Sequence, residues 1–363
     1  MAGDKTACAC CQILLLTVAG LLCSCSDRLG AKADAMTEMK NELATLDSLL
    51  RNEGFAKDIA ATLNTAYNKG IGQEAPPFLD SEEDSDIITV SKREEKIATN
   101  LAGFYALECA VDLLCKQSNE TPVTWLERIA AGRTDDATAL LLNRFANATW
   151  KASQPFRDIK RISRYNFTVA NLLSKEEVEK DAVQTRAAAT KLLSSLQATK
   201  TASLEEQMKT IRSLLQSENY AIEMAAYLHS AFGVSQNGKA ASFLSPDDDT
   251  GIIKKPAQNI KIATNLAGFY ALECCVIYLA TAKGCLPSEA MQGLLDKTLS
   301  KEDEDLAARF ANATWKAGQP FRGLKRITSK LFTPFYFLSK ADVEKDLVQI
   351  RAAAKKVLPL IKS

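Results

Sequence analysis

An internal duplication without gaps constrains the fold of this chain more than any other feature. Adding 165 to a residue number in the first half gives its counterpart in the second half, so Trp150 falls on Trp315 and Asp181 on Asp346. No insertion is needed from about Glu38 to Leu193. Each copy has the size of a complete domain rather than of a solenoid repeat. The sequence therefore predicts two homologous domains, at residues 34–198 and 199–363.

The hydrophobic period within each copy is that of α-helices. In the first copy it predicts helices near 35–52, 54–69, 91–116, 122–131, 135–153 and 174–197. No stretch alternates in the way that predicts a strand. The predicted fold class is therefore all-α, with two tandem homologous helical bundles of about five to six helices each. Because the connection "QATKTAS" is short, we expect the two bundles to pack on each other.

Local signals agree with the limits of these helices. Ser91 with Glu94 and Ser174 with Glu177 match the capping box, in which a hydroxyl and a carboxylate satisfy the free amides of the first turn. Pro155 is expected to stop the fifth helix, because the residue before a proline is pushed out of the helical region.

The N-terminus carries an apolar run of ten residues, "ILLLTVAGLL" (13–22), which is too short to span a bilayer and is typical of a signal peptide. It leads into "LLCSCSDRLG", which resembles the lipobox of bacterial, Bacteroidetes-type lipoproteins. The resemblance implies a signal peptide at 1–24, lipidation of Cys25 and, from Ser26, sorting to the outer membrane. Cys23 is a second potential lipidation site. The alternative is a short apolar helix on a cytosolic protein.

Composition excludes several classes of function. Lys and Arg number 45 against 44 Asp and Glu, which argues against a chain built to bind nucleic acid. His229 is the only histidine, and Asn64 stands at its position in the first copy, so neither a multi-histidine metal site nor a duplicated His-based triad can form. Enzymatic glycine or serine motifs are absent from the sequence. We therefore assign no catalytic residue, no metal and no cofactor.

The two copies have diverged unevenly. They agree at 33 of 50 positions between Arg144 and Leu193, but at only 2 of 28 from Lys116 to Asn143. The fourteen letters "KIATNLAGFYALEC" are identical at 96–109 and 261–274. Both packing and function can make some positions less tolerant of substitution than others. The placement of the retained residues on helix faces has to distinguish these two causes.

The retained "KIATNLAGFYALEC" helix is apolar on one side and lined by small residues on the other, which predicts burial on both sides. Glu108, and Glu273 in the second copy, interrupt its apolar stripe. A buried carboxylate needs a cation or hydrogen-bond donors, and the retained Arg144 and Arg309 are the expected partners. The alternative is that Glu108 and Glu273 act as catalytic or ligand-binding carboxylates in a bundle cleft.

A second retained block, "RFANATWKA" followed by "QPFR", places an amide, an indole and another amide opposite its core stripe. An aromatic face can stack on a sugar ring while amides fix its orientation, and the following arginine can hold an anion. The alternative is that another helix or the other bundle covers this stripe. The candidate binding residues are Asn147, Trp150, Gln154, Arg157, Asn312, Trp315, Gln319 and Arg322.

From the sequence we expect a lipid-anchored protein of the cell envelope, at the outer membrane, that acts as a binding or scaffolding module. Its expected partners are the membrane, through the N-terminal lipid, and a glycan, an anionic ligand or another envelope protein, with no nucleic acid. One alternative is a glycan-processing or other envelope enzyme that uses Glu108 and Glu273. Another is a purely structural spacer or dimerisation protein.

Overall fold

The structure is a computed structural model that describes residues 34, 36–70, 72–74, 78, 86–164, 167–239, 242–329 and 332–362. The expected signal peptide at 1–24 and the expected lipidation site Cys25 lie outside these residues.

In the first copy, the chain forms helices and one short strand. Helix α1 comprises residues 36–50. The following elements are α2 (Glu53–Gly70), β1 (Ile87–Ser91), α3 (Lys92–Asn100), α4 (Ala102–Ser118), α5 (Pro122–Ala130), α6 (Asp136–Arg157), α7 (Arg161–Arg164) and α8 (Lys175–Leu196), with 3₁₀ turns at Ala170–Leu172 and Gln197–Thr199.

The second copy repeats this order. Its elements are α9 (Leu204–Leu215), α10 (Glu218–Asn237), α11 (Pro246–Thr250), β2 (Ile252–Pro256), α12 (Ala257–Lys283), α13 (Pro287–Asp296), α14 (Lys301–Gly318) and α15 (Lys340–Ile361). Short 3₁₀ turns lie at Gln319–Arg322, Leu324–Thr328 and Phe335–Phe337. Helix α12 is continuous, whereas its counterpart in the first copy is divided at Leu101 into α3 and α4.

The all-α fold class is confirmed, and the predicted helices match the observed ones closely. Both predicted capping boxes form, with Ser91 and Ser174 accepting hydrogen bonds from the amides of Glu94 and Glu177. The predicted stop at Pro155 is wrong, since α6 continues through it to Arg157. Pro155 lies in the last turn, where a missing amide removes little of the helix ladder.

Two short strands were not predicted. β1 and β2 pair antiparallel, with Thr89 opposite Lys254 at the centre of the register. Five residues are too few for a clear alternation, and each strand finds its partner only in the other copy. Thr89 and Lys254 are counterparts in the two copies, so the ribbon is symmetric about its own centre.

The same approximate two-fold symmetry continues through the core. The rings of Phe145 and Phe310, which are counterparts, stack with centroids 4.1 Å apart and planes 4° apart. Phe156 and its counterpart Phe321 stack with centroids 5.4 Å apart. Contacts between equivalent residues are the mark of an isologous interface, as in a two-fold dimer. The two copies therefore meet as the subunits of such a dimer would.

Helices are also exchanged between the copies. α2 of the first copy packs on α12 and α15, and α10 of the second copy packs on α3 and α8. Reciprocal hydrogen bonds accompany this exchange, because Glu42 accepts from the Ser288 amide at 2.9 Å and Gln207 accepts from the Val123 amide at 3.0 Å. One hydrophobic core runs through both copies. The sequence boundary at 198/199 thus lies within a shared core.

Two stretches of helix, Lys92–Ser118 and Ala257–Lys283, are long and apolar enough to cross a membrane by length and composition. In each of them 89% of the apolar window is buried inside the protein. They are the central helices of the shared core, and core helices commonly meet the same criterion.

Candidate functional site

Each copy contains one cleft, and the retained helices form its walls. The first cleft has a volume of about 440 Å³ and lies between α3, α4, α6 and α8 of the first copy and α10 of the second. Its lining residues are Thr99, Asn100, Ala102, Gly103, Ala146, Asn147, Trp150, Gln154, Arg157, Leu173, Glu177, Lys180, Asp181, Gln184 and Phe232.

The second cleft has a volume of about 520 Å³ and occupies the equivalent place in the second copy. Its lining residues are Asn64, Tyr67, Asn68, Arg212, Thr264, Asn265, Ala267, Gly268, Ala311, Asn312, Trp315, Arg322, Arg326, Thr333, Phe337, Leu338, Asp342, Lys345, Asp346 and Gln349. Both volumes fall in the range typical of small-molecule sites.

The walls of the two clefts are almost the same in sequence. Of the 15 residues that line the first cleft, 13 have an identical counterpart in the second copy. The two exceptions are conservative, namely Glu177 against Asp342 and Phe232 against Tyr67. Phe232 and Tyr67 reach their clefts on the exchanged helices α10 and α2. Each copy therefore needs the other to complete its cleft.

One glycine behind each cleft allows two helices to pack closely. A Cβ at Gly103 would lie 3.2 Å from the Cβ of Gln184, and a Cβ at Gly268 would lie 3.0 Å from the Oε1 of Gln349. Both distances are shorter than ordinary van der Waals contact. Glycine at these positions allows α4 and α12 to lie directly against α8 and α15, which brings the polar side chains of the two walls together.

The structure brings seven of the eight predicted binding residues into these clefts. Asn147, Trp150, Gln154 and Arg157 line the first cleft, and Asn312, Trp315 and Arg322 line the second. Gln319 does not line the second cleft, and its Oε1 accepts a hydrogen bond from the Nε of Arg326 at 3.0 Å.

Neither tryptophan is enclosed in the core. Trp150 and Trp315 are both half-buried, with one side against Phe167 and Phe332 at centroid distances of 5.8 Å. Their other surface contributes to the cleft walls. The stripe is partly covered and partly open. Its amides Asn147, Gln154, Asn312 and Gln319 are buried, whereas the two indoles contribute to the cavity walls.

Asp181 and Asp346 are cleft residues that the sequence reading did not select. Asp181 accepts a hydrogen bond from Asn143 at 3.2 Å, and Asp346 accepts one from Asn312 at 3.4 Å. Burial raises the pKa of each carboxyl to about 7, against the lowering effect of Lys151 and Lys316 respectively.

Lys180, Gln184, Thr99 and Asn100 also line the first cleft and were not selected. The signal that could have found them is the one that drew attention to Trp150, because all four are identical in the second copy. They lie on different helices, and the sequence alone does not show that these faces converge.

Glu108 and Glu273 are buried and paired, as expected, but with lysines of the opposite copy. Lys316 donates to Glu108 at 2.5 Å, and Lys151 donates to Glu273 at 2.6 Å. The second oxygens accept from the amides of Phe335 at 3.1 Å and Ala170 at 2.8 Å. Neither carboxylate lines either cleft. Both lysines are fully buried, so neither contributes its charge to a surface patch.

The expected partners Arg144 and Arg309 have other roles. Arg309 pairs with Asp112, whose pKa burial raises to about 6 against the opposing charge of Arg309. The counterpart of Asp112 is Ile277, so no equivalent carboxylate faces Arg144. Arg144 instead donates to the side-chain oxygens of Asn143 and Asn171, both at 2.7 Å. Sequence reasoning missed the Arg309–Asp112 pair because it crosses the copies.

Among the residues that the structure describes, no group of three or more His, Cys, Asp or Glu side chains is placed to hold a metal ion. Comparison of the chain with protein-family models, with curated proteins and with solved structures finds no match.

Proposed function

We propose that this chain is a binding protein that takes one small polar ligand in each of two equivalent clefts. The observation that carries the proposal is the identity of 13 of 15 lining residues between the copies, because many of these residues are polar and partly exposed. Packing constrains buried residues most strongly. Ligand binding therefore explains the retention of partly exposed polar side chains around a cavity better than packing does.

The chemistry of the walls favours a saccharide-type ligand. Each cleft offers the face of an indole, at Trp150 or Trp315, and a second aromatic residue at its edge, at Phe232 or Tyr67. Amides and hydroxyls beside them can bind several hydroxyl groups of one ring. Aromatic faces with a few convergent polar groups are the usual composition of small-molecule sites.

Single-tryptophan reporters test this proposal. In Trp125→Phe/Trp315→Phe only Trp150 remains, and in Trp125→Phe/Trp150→Phe only Trp315 remains, so each form reports one cleft. Titration with a panel of monosaccharides and short oligosaccharides should change the emission of both forms with similar affinity. Calorimetry on the unaltered chain should give two sites.

The matched control is the form that retains only Trp125, made by Trp150→Phe with Trp315→Phe. Trp125 lies on α5 and lines neither cleft, and its indole nitrogen donates to Ser118 at 2.9 Å. Its emission should stay constant in the same titrations. If no member of the panel alters Trp150 or Trp315, the saccharide proposal is wrong.

Acid–base catalysis in the same clefts is the second candidate function. It is favoured by Asp181 and Asp346, since a carboxyl with a pKa of about 7 can hold or release a proton near neutral pH. Asp181→Asn with Asp346→Asn should then abolish turnover of a bound saccharide while leaving its binding intact. Unchanged binding without any turnover in the unaltered protein would remove this candidate.

For its location, we propose that the protein is anchored to the envelope membrane by a lipid on Cys25. Support comes from the lipobox-like "LLCSCSD", whose Cys25 lies nine residues before the first described residue, Asp34. Metabolic labelling with a fatty acid should give a labelled protein, and Cys25→Ser should lose the label. If Cys23→Ser loses the label and Cys25→Ser keeps it, the anchor is Cys23.

A further inference from the structure

The two clefts differ in charge, although most of their lining residues are identical. Arg212 and Arg326 line the second cleft in addition to the common set. Their counterparts in the first copy are Asp47 and Arg161, and neither lines the first cleft. Asp47 pairs with Arg51 at 2.9 Å. Arg161 lines an adjoining depression of about 230 Å³, which shares Arg157 with the first cleft and also contains the carboxylates Glu95 and Asp158.

The cationic side chains of the first cleft have acidic neighbours. Lys180 pairs with Glu176 at 2.7 Å, and Arg157 lies 3.8 Å from Glu95. Glu177 and Asp181 line the same cleft. Two cations and two carboxyls thus face this cavity, which gives it no net charge when all four are ionised.

In the second cleft, cations outnumber carboxyls. Arg212, Arg322, Arg326 and Lys345 line it against Asp342 and Asp346. Lys345 pairs with Asp342 at 3.2 Å. With all of these groups ionised, the cavity carries two excess positive charges, and protonation of Asp346 increases the excess.

The three arginines of the second cleft lack carboxylate partners among the described residues. Arg326 uses its Nε on the neutral amide of Gln319, and the guanidinium of Arg212 lies 5.8 Å from the ring centroid of Phe337. Desolvation and the charge of Arg326 lower the pKa of Arg322, which places these two cations close together. An anion between them would relieve this repulsion, and guanidinium groups bind planar or tetrahedral oxyanions through paired N–H donors.

We propose that the second cleft selects a ligand that carries an oxyanion, a phosphate or a carboxylate, which Arg322 and Arg326 bind, with Arg212 as a further cation in the wall of the same cleft. The first cleft takes the uncharged form of the same type of ligand. The pairing of a charged and a neutral ligand rests on the proposed function, whereas the anion site can be tested by itself.

The test uses the two single-tryptophan forms of the full chain at constant ionic strength. Each is titrated with glucose, glucose 6-phosphate, glucuronate and inorganic phosphate. Trp315 should respond to glucose 6-phosphate or glucuronate at a concentration about 10- to 100-fold lower than to glucose, as expected for charge-assisted hydrogen bonds. Trp150 should show no such preference. Whichever of glucose 6-phosphate and glucuronate binds with the higher affinity shows whether the natural ligand carries a phosphate or a carboxylate.

Arg322→Gln with Arg326→Gln should abolish the preference at Trp315. The matched control is Arg157→Gln with Arg161→Gln, the same positions in the first copy, which should leave the response of Trp315 unchanged. Arg322→Gln alone changes an exposed side chain and serves if the double variant does not fold.

The outcomes separate this inference from the proposed function. Equal responses to glucose and glucose 6-phosphate at Trp315 would overturn the anion site while supporting saccharide binding. A response of Trp315 to inorganic phosphate, with no response of either reporter to glucose, would support the anion site and count against a saccharide. No response of Trp315 to phosphate, glucose 6-phosphate or glucuronate would overturn the inference.

Discussion

Two regions of this duplicated chain differ in how far the copies have diverged: the cleft walls are nearly identical, whereas α5 and α13 share few residues. α5 and α13 are counterparts that bury equivalent positions, yet Val123 has become Ser288 and Leu126 has become Met291. The cleft walls contain partly exposed side chains, such as Thr99 and Lys180, that are identical in both copies. Burial alone would predict the reverse.

This difference separates two causes of retention. A helix packed on the outside of the core tolerates substitution more readily, as the exchange of Val123 for Ser288 shows. Residues on the two-fold axis, such as Phe145 and Phe310, contact their own counterparts, so a change in one alters a contact of the other. The partly exposed cleft residues, such as Thr99 and Lys180, have neither full burial nor self-contact to preserve them. Ligand binding is the cause that fits them.

The largest loss of stability is expected from breaking one of the buried ion pairs between the two copies. Lys316→Met leaves Glu108 buried without its cation, which should cost about 3–5 kcal/mol of unfolding free energy. Lys151→Met should cost a similar amount through Glu273, since the pairs are equivalent. Urea unfolding followed by circular dichroism measures both.

Lys209→Met is the control, because Lys209 pairs with Glu205 on the surface and its loss should leave the urea midpoint unchanged. A loss below about 1 kcal/mol for Lys316→Met would mean that water reaches Glu108. Retention of "KIATNLAGFYALEC" would then need a reason other than core packing.

The second prediction concerns the glycines behind the clefts. Gly103→Ala should destabilise the protein by about 1 kcal/mol, because crowding against Gln184 outweighs the gain in helix propensity. Gly268→Ala should cost more, about 2 kcal/mol, because its Cβ would lie 3.0 Å from the Oε1 and 3.3 Å from the Cβ of Gln349, two tight contacts where Gly103 has one. Thermal unfolding of both variants checks the order. The reverse order would contradict the close packing of α15 on α12.

How much of this architecture could be predicted depends on whether its contacts are local. Helix limits and the capping boxes at Ser91 and Ser174 follow from neighbouring residues, and the sequence predicted them. The Trp150 stripe was found because one helix face carries it. The Lys316–Glu108 pair and the β1–β2 ribbon join residues of different copies, and helical periodicity contains no information on such pairing.

The third prediction uses the cleft carboxyls. Burial raises the pKa of Asp181 and Asp346 to about 7, so between about pH 4 and pH 7 the unfolded chain releases protons that the folded chain keeps. Their contribution to stability is therefore present at low pH and is lost as pH rises through this window. Asp181→Asn with Asp346→Asn should raise Tm at pH 8 by about 2 °C or more and change it little at pH 4.

Some dependence on pH should remain in that variant, because Asp112 has a pKa of about 6 and is unchanged. Scanning calorimetry from pH 4 to pH 8 distinguishes the contributions. A variant that is less stable than the parent at pH 8 would show that both cleft carboxyls are ionised and paired in the folded protein.

The smallest effect on stability should come with the clearest effect on binding. Lys180→Ala with Lys345→Ala changes a retained, partly exposed pair in the cleft walls, and Arg133→Ala changes an exposed residue in the diverged region. All of these changes should lie within about 0.5 kcal/mol of the parent in stability. Only the lysine variant should weaken the responses of Trp150 and Trp315 to the saccharide panel. Equal binding by both variants would show that the retained walls owe their identity to something other than the ligand, and the contrast between the two regions would lose its functional meaning.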